Sequence, residues 1–181
     1  LASAPDKLLP TIRSRCSRVQ FGPLPLEQVA AMLMAEGKLS KEQAQLVAGM
    51  AGGSLSRALE LDPKTLEQRR QIIERFDALV REDSRPWLTF ADDFGDSRET
   101  AEDCLRVLRV WLHDLSVLEA GGASIVNRDL EELGRAAVAK LSPLGLHRRH
   151  RLVEAALYAV SSRNGAPRLQ LERMLIEMLA R

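Results

Sequence analysis

Apolar residues recur at helical spacing along most of this chain. Leu26, Val29, Ala30, Leu33 and Met34 stand three and four apart and predict an amphipathic helix that ends at Gly37. Ser40-Lys41-Glu42-Gln43 is a capping-box pattern, and the helix it opens carries Ala44, Leu46, Val47 and Met50 as far as Gly52-Gly53. Ser54 is placed to cap a third helix over residues 55–61, which stops before Asp62-Pro63. Three short helices in about forty residues predict a small bundle.

The same periodicity continues from Pro63 in longer runs. Residues 64–81 predict one helix, in which Leu66, Ile73, Phe76, Leu79 and Val80 stand among Gln, Glu and Arg. Arg85-Pro86-Trp87 opens another that ends near Gly95. Asp96-Ser97 starts a long third helix with Ala101, Leu105, Leu108, Leu112, Leu115 and Leu118 on one broad face, closed by Gly121-Gly122. Asn127 is the expected cap of a fourth, through Leu130, Leu133 and Ala137 to Leu141. Ser142-Pro143 starts a fifth, through Leu152, Ala156, Tyr158 and Val160. Asn164-Gly165-Ala166-Pro167 breaks the chain before a last helix over residues 168–181. There is no internal repeat and no low-complexity tract.

Residues 1–21 follow a different pattern. Turn residues and a helical turn over 10–15 lead to an expected short strand, Arg18-Val19-Gln20-Phe21. Gly22-Pro23-Leu24-Pro25 then stops any regular element, so a linker or domain boundary is expected there. The opening Leu1-Ala2-Ser3-Ala4-Pro5 reads as the end of a strand, and the chain as the C-terminal part of a longer one. The expected division is 1–21, 22–63 and 64–181.

Composition sharpens the fold class. Aromatic residues are 4% of the 181 positions, so the core must be aliphatic. Leu and Ala dominate and β-branched runs are scarce, which favours a mostly α fold. A formal net charge of +1 gives no general drive toward nucleic acid or a membrane surface. No apolar stretch has bilayer-spanning length, and no basic segment precedes an apolar one as in a signal peptide. Cys16 and Cys104 are far apart and lack metal-type spacing, and His113, His147 and His150 form no ligand pattern, so no metal site is expected. Two unpaired cysteines suit a reducing compartment such as the cytoplasm.

Candidate chemistry rests on arginines. In Leu8-Leu9-Pro10-Thr11-Ile12-Arg13-Ser14-Arg15-Cys16, Arg15 follows a Pro-initiated turn at the edge of a predicted unit. A guanidinium held there can reach a phosphate on a neighbouring subunit. An isolated Ser-Arg-Cys would more often be a surface arginine beside a cysteine that packs inward, and Cys16 is expected to pack so. Gly52-Gly53-Ser54-Leu55-Ser56-Arg57-Ala58-Leu59 puts Arg57 near a helix N-terminus, where backbone N–H groups favour anions. The plain reading is a capped helix with a solvent-facing arginine. The run His147-Arg148-Arg149-His150-Arg151 lacks interleaved aromatics and winds around one helix, so a solvated face is the better reading than a nucleic-acid patch.

The wording of these segments resembles bacterial DNA polymerase III clamp-loader subunits, which are AAA+ proteins. The run ending in Ser14-Arg15-Cys16, followed by a short strand and Pro-Leu, is similar to that family's Ser-Arg-Cys motif. The segment around Arg57 resembles its sensor-2 wording, and Asn164-Gly165-Ala166-Pro167-Arg168-Leu169-Gln170-Leu171-Glu172 resembles the start of its last collar helix. The resemblance implies the edge of an AAA+ core (1–21), a three-helix lid (22–63) and a helical collar of about five to six helices (64–181) that joins a pentameric ring. It implies that Arg15 acts as an arginine finger on a neighbour's ATP. Arg57 would be a sensor-2 candidate, vestigial where the subunit's own ATP site is degenerate, and Ser3 the nearest polar group at a sensor-1 position. ATP would sit at subunit interfaces, with none bound by this segment alone, because Walker A and Walker B would lie upstream. The implied partners are other loader subunits (gamma/tau and delta) and, through the complex, the sliding clamp and primer–template DNA. Delta prime and gamma/tau both carry Ser-Arg-Cys; the spelling Thr-Ile-Arg-Ser-Arg-Cys and the end at Arg181 are closer to the delta-prime branch. A gamma/tau ATPase, a helical scaffold with no ATP-site role and a DNA binder using the Arg148 region are the alternatives.

Overall fold

A computed structural model describes residues 9–17, 19, 21–37, 39–61, 63–82, 87–163 and 165–179. The expectations for Ser3, for Arg18 and Gln20 of the strand, for the Arg85-Pro86 helix start and for Asn164 lie outside them, as does the side chain of Val80. The described residues form ten α-helices and no strand. In chain order these are α1 (Pro10–Arg13), α2 (Leu26–Ala35), α3 (Lys41–Ala51), α4 (Leu55–Glu60) and α5 (Pro63–Glu82). After them come α6 (Trp87–Phe94), α7 (Arg98–Glu119), α8 (Glu131–Val138), α9 (Pro143–Ser162) and α10 (Pro167–Leu179). The mostly helical class expected from the composition is the class observed.

Local signals start these helices where the pattern expected. Ser40 Oγ accepts from Gln43 N while the Gln43 side chain accepts from Ser40 N, a complete capping box on α3. Ser97 caps α7 by accepting from Thr100 N at 3.1 Å, and Ser142 caps α9 by accepting from Gly145 N at 3.1 Å.

The apolar faces close two cores. In the smaller, Val29, Ala30 and Leu33 of α2 meet Ala44, Val47, Ala48 and Ala51 of α3 and Ala58 of α4. Alanine at so many contact positions lets short helices approach closely. Leu66 of α5 packs against this core from the side of the larger one. In the larger, α7 is the central helix. Ala101, Cys104, Leu105, Leu108, Trp111, Leu112 and Leu115 are buried among residues of α5, α6, α8, α9 and α10. Phe90 lies between Phe76 and Phe94, with ring centroids 6.3 and 4.7 Å away.

Several expectations are corrected. Val19 and Phe21 belong to no strand and are 72% and 79% exposed, because nothing among the described residues pairs with or covers them. Asn127 makes no capping bond: its amide is taken by tertiary partners. The helix after it ends at Val138, not Leu141. Leu26, Met34, Tyr158, Leu169 and Ile176 continue the helical period yet are exposed, since no helix among the described residues covers those edges. No helix among the described residues is long and apolar enough to cross a membrane.

Candidate functional site

Arg15 is placed by two tight turns. Pro10 opens α1 with its φ already helical, and the amides of Ile12 and Arg13 both donate to Leu9 O, at 3.0 and 3.1 Å. Ser14 N donates to Pro10 O at 3.0 Å, Ser14 Oγ to Thr11 O at 3.2 Å, and Arg15 N to Ile12 O at 3.2 Å. The backbone is thus closed on itself, while the Arg15 side chain is exposed and makes no ion pair or hydrogen bond among the described residues. Cys16 is exposed rather than packed inward, a correction with a simple cause: α1 buries no residue, so this segment has no apolar face of its own to fold under.

The next segment docks on the smaller bundle. Leu24 N donates to Gly53 O at 2.9 Å, and the Leu24 side chain packs against the α2–α4 core. Gly53 sits at φ +83°, and a Cβ there would lie 2.5 Å from Pro23 Cβ and 2.7 Å from Leu24 O. Only glycine fits such a backbone and such a contact. The two glycines therefore divide the work: Gly52, in the left-handed region, ends α3, and Gly53 admits the Pro-rich segment that follows Arg15.

Ser54 Oγ then accepts from Arg57 N at 3.4 Å, which sets Arg57 in the first turn of α4. Its exposed side chain stands at a cleft of about 750 Å³ between α3–α4 and the α5–α7 side of the larger bundle, with Gln68, Asp103, Arg106 and Arg109 across from it. Partial desolvation, then the nearby cations Arg106 and Arg109, lower its pKa from the usual guanidinium value, while Asp103 and Glu60 oppose the shift. Arg106 is engaged by Glu102 at 2.6 Å and Asp103 at 3.0 Å, and Arg109 stands 3.9 Å from Glu154. Arg57 has no ion pair within 4 Å among the described residues. Ser14, Arg15 and Cys16 are not in the lining of this cleft, so the two candidate arginines occupy separate places.

Sequence reasoning missed a buried polar group beside that cleft. Asp114 of α7 is fully buried; its Oδ1 accepts from Val126 N at 2.9 Å and its Oδ2 from Asn127 N at 2.8 Å and Asn127 Nδ2 at 2.6 Å. Asn127 Oδ1 in turn accepts from Arg69 of α5, which also pairs with Asp129. The signal was present: Asp114 follows Trp111 by three residues and precedes Leu118 by four, so helical spacing puts a carboxylate on the core face.

The basic run on α9 divides as its spacing requires. Arg148 donates to Glu177 O of α10 at 2.7 Å, while Arg149 is half-buried, and burial lowers its pKa against the opposing pull of Asp77. His147 and Arg151 are exposed. The motif at α10 also has a structural reading. Pro167 is its first residue, and Arg168 bridges Asp92 of α6 at 2.7 Å and Glu172 at 2.8 Å. The hydrogen bond to Glu172, then the charge of Asp92, raise the pKa of Arg168. Leu171, Met174, Leu175 and Met178 are buried. Among the described residues no group of His, Cys, Asp and Glu has metal-binding geometry. No protein-family model matches the chain, and no curated protein does.

Proposed function

We propose that this chain belongs to a subunit of the bacterial DNA polymerase III clamp loader, of the delta-prime type, in which Arg15 serves a neighbouring subunit's ATP. One observation carries the reading: Arg15 is an uncommitted, exposed guanidinium on a self-closed turn, and the segment after it is docked on a three-helix unit through Gly53. An arginine finger needs that combination. Its backbone must be fixed so that little entropy is lost on reaching the phosphate, and its charge must not be neutralised at home. Phosphoryl transfer spreads negative charge over the γ-phosphate oxygens, and a guanidinium arriving from a second subunit offsets it.

On this reading, residues 22–63 are the lid and residues 64–181 the collar. The exposed side chains of Leu9, Ile12, Val19 and Phe21 are apolar surface that the rest of an AAA+ core would cover. Exposed Leu144, Tyr158, Leu169 and Ile176 on α9 and α10 supply apolar surface for neighbouring collar domains. Arg57 faces the cleft toward α7, which favours the vestigial form of the sensor-2 assignment.

The test is clamp- and DNA-stimulated ATP hydrolysis by a loader reconstituted with the full-length protein, wild type against Arg15→Ala and Arg15→Lys, with assembly checked by gel filtration. A loss of about tenfold or more for both variants in an intact assembly is expected, because lysine lacks the planar fork. Unchanged hydrolysis by an intact Arg15→Ala loader would overturn the finger assignment.

A further inference from the structure

We propose that residues 121–127 form a latch that fixes the α2–α4 unit against the larger bundle, with Asp114 as its catch. This loop engages three elements at once. Through Val126 N, Asn127 N and Asn127 Nδ2 it satisfies both oxygens of the buried Asp114 on α7. Through Asn127 Oδ1 it accepts from Arg69, a buried cation of α5 that Asp129 also pairs. Through the Val126 side chain it seats on α3: a Cβ on Gly49 would lie 2.8 Å from Val126 Cγ1, so the missing side chain at 49 is the slot that Val126 occupies.

The chemistry makes the latch close to all-or-none. A carboxylate with no exposed surface is tolerable only while donors surround it, and here the loop supplies three hydrogen bonds, beside His113 Nδ1 at 3.8 Å from Oδ1. Partial withdrawal of the loop would leave Asp114 buried with unmet hydrogen bonds and take Asn127 from Arg69, whose Nε already lacks a partner and which would keep only Asp129; that is worse than either end state. The loop is therefore fully seated or fully released. Seated, it also sets the separation of Arg57 on α4 from Arg106 and Arg109 on α7 across the cleft. The latch does not depend on the clamp-loader reading, since it follows from contacts within one chain.

The experiment is a spin-label distance measurement on the 181-residue chain. Labels go at Met32→Cys on α2 and Ser161→Cys on α9, both exposed positions, in a Cys16→Ser background; Cys104 is buried and stays unlabelled. The otherwise unaltered chain should give one narrow distance distribution. Gly49→Val fills the slot and should widen the distribution by about twofold or more, and adding Val126→Ala should restore it by returning the space. Asp114→Asn places an amide donor against loop N–H groups and should widen it likewise. Circular dichroism establishes that each variant is folded. A narrow, unshifted distribution for folded Gly49→Val, or a widening that Val126→Ala does not reverse, would overturn the latch. So would an unchanged distribution for folded Asp114→Asn; if that variant does not fold, the Gly49–Val126 pair decides alone.

Discussion

At the scale of single residues, the two cysteines show how place in the fold overrides residue type. Cys104 lies in the core of the larger bundle, and burial pushes its thiol pKa well above the ordinary value. The nucleophile in thiol chemistry is the thiolate, so Cys104 should be inert in the native state. Cys16 is exposed. Titration of the folded chain with a thiol reagent near pH 8 should therefore count one reactive thiol, and two after denaturation. Two fast thiols in the folded chain would mean that the α7 core is open. The inward packing expected of Cys16 came from the usual behaviour of free cysteine. It did not follow from periodicity, because α1 is too short to have a buried side. Arg15 and Arg57 were legible as positioned arginines from the turn and cap residues around them. That Arg57 faces α7 was not, since that depends on how two separate bundles meet.

At the scale of elements, the caps were readable because they are local. Ser40, Ser54, Ser97 and Ser142 each accept a hydrogen bond from an amide three residues on, and no distant group among the described residues competes for them. Ser40→Ala should cost about 1 kcal/mol of stability, measured by urea unfolding, since it removes one side of the capping box. The same cap carries a small pH dependence. The backbone of α3's first turn, then the Ser40 hydroxyl, lower the pKa of Glu42 below the usual carboxylate value. A depressed folded pKa means that the contribution is present above the unfolded pKa and is lost as pH falls through the folded one. Asn127 marks the limit of this reasoning. As a residue type it is a good cap, but its amide bridges Asp114 and Arg69 instead. Both partners lie on other helices, and no local window contains them.

At the scale of the whole molecule, stability concentrates on α7. Leu108 and Leu112 are fully buried where α7 meets its neighbours. Truncating either to Ala should cost about 2–5 kcal/mol, seen as a lower urea midpoint, through lost transfer energy and the cavity left behind. A cost under about 1 kcal/mol would mean that the larger core is loosely packed. The smaller core is built largely of alanine, so each of its side chains removes less apolar surface from water. It therefore relies more on its caps, on Leu24 and Leu66, and on the contact of Val126 with Gly49.

The sequence by itself determined the helical class, the order of the helices, most of their starts and, for α7 above all, the apolar face offered to a core. These follow from side-chain period and from hydrogen bonds spanning three or four residues, both local properties of the chain. Tertiary structure alone decided which arginines stay uncommitted, which period-matched residues remain exposed, and that Asp114 is satisfied by a loop twelve and thirteen residues away. Exposure and pairing depend on which other elements arrive alongside, and a helix's own pattern states only which face it offers.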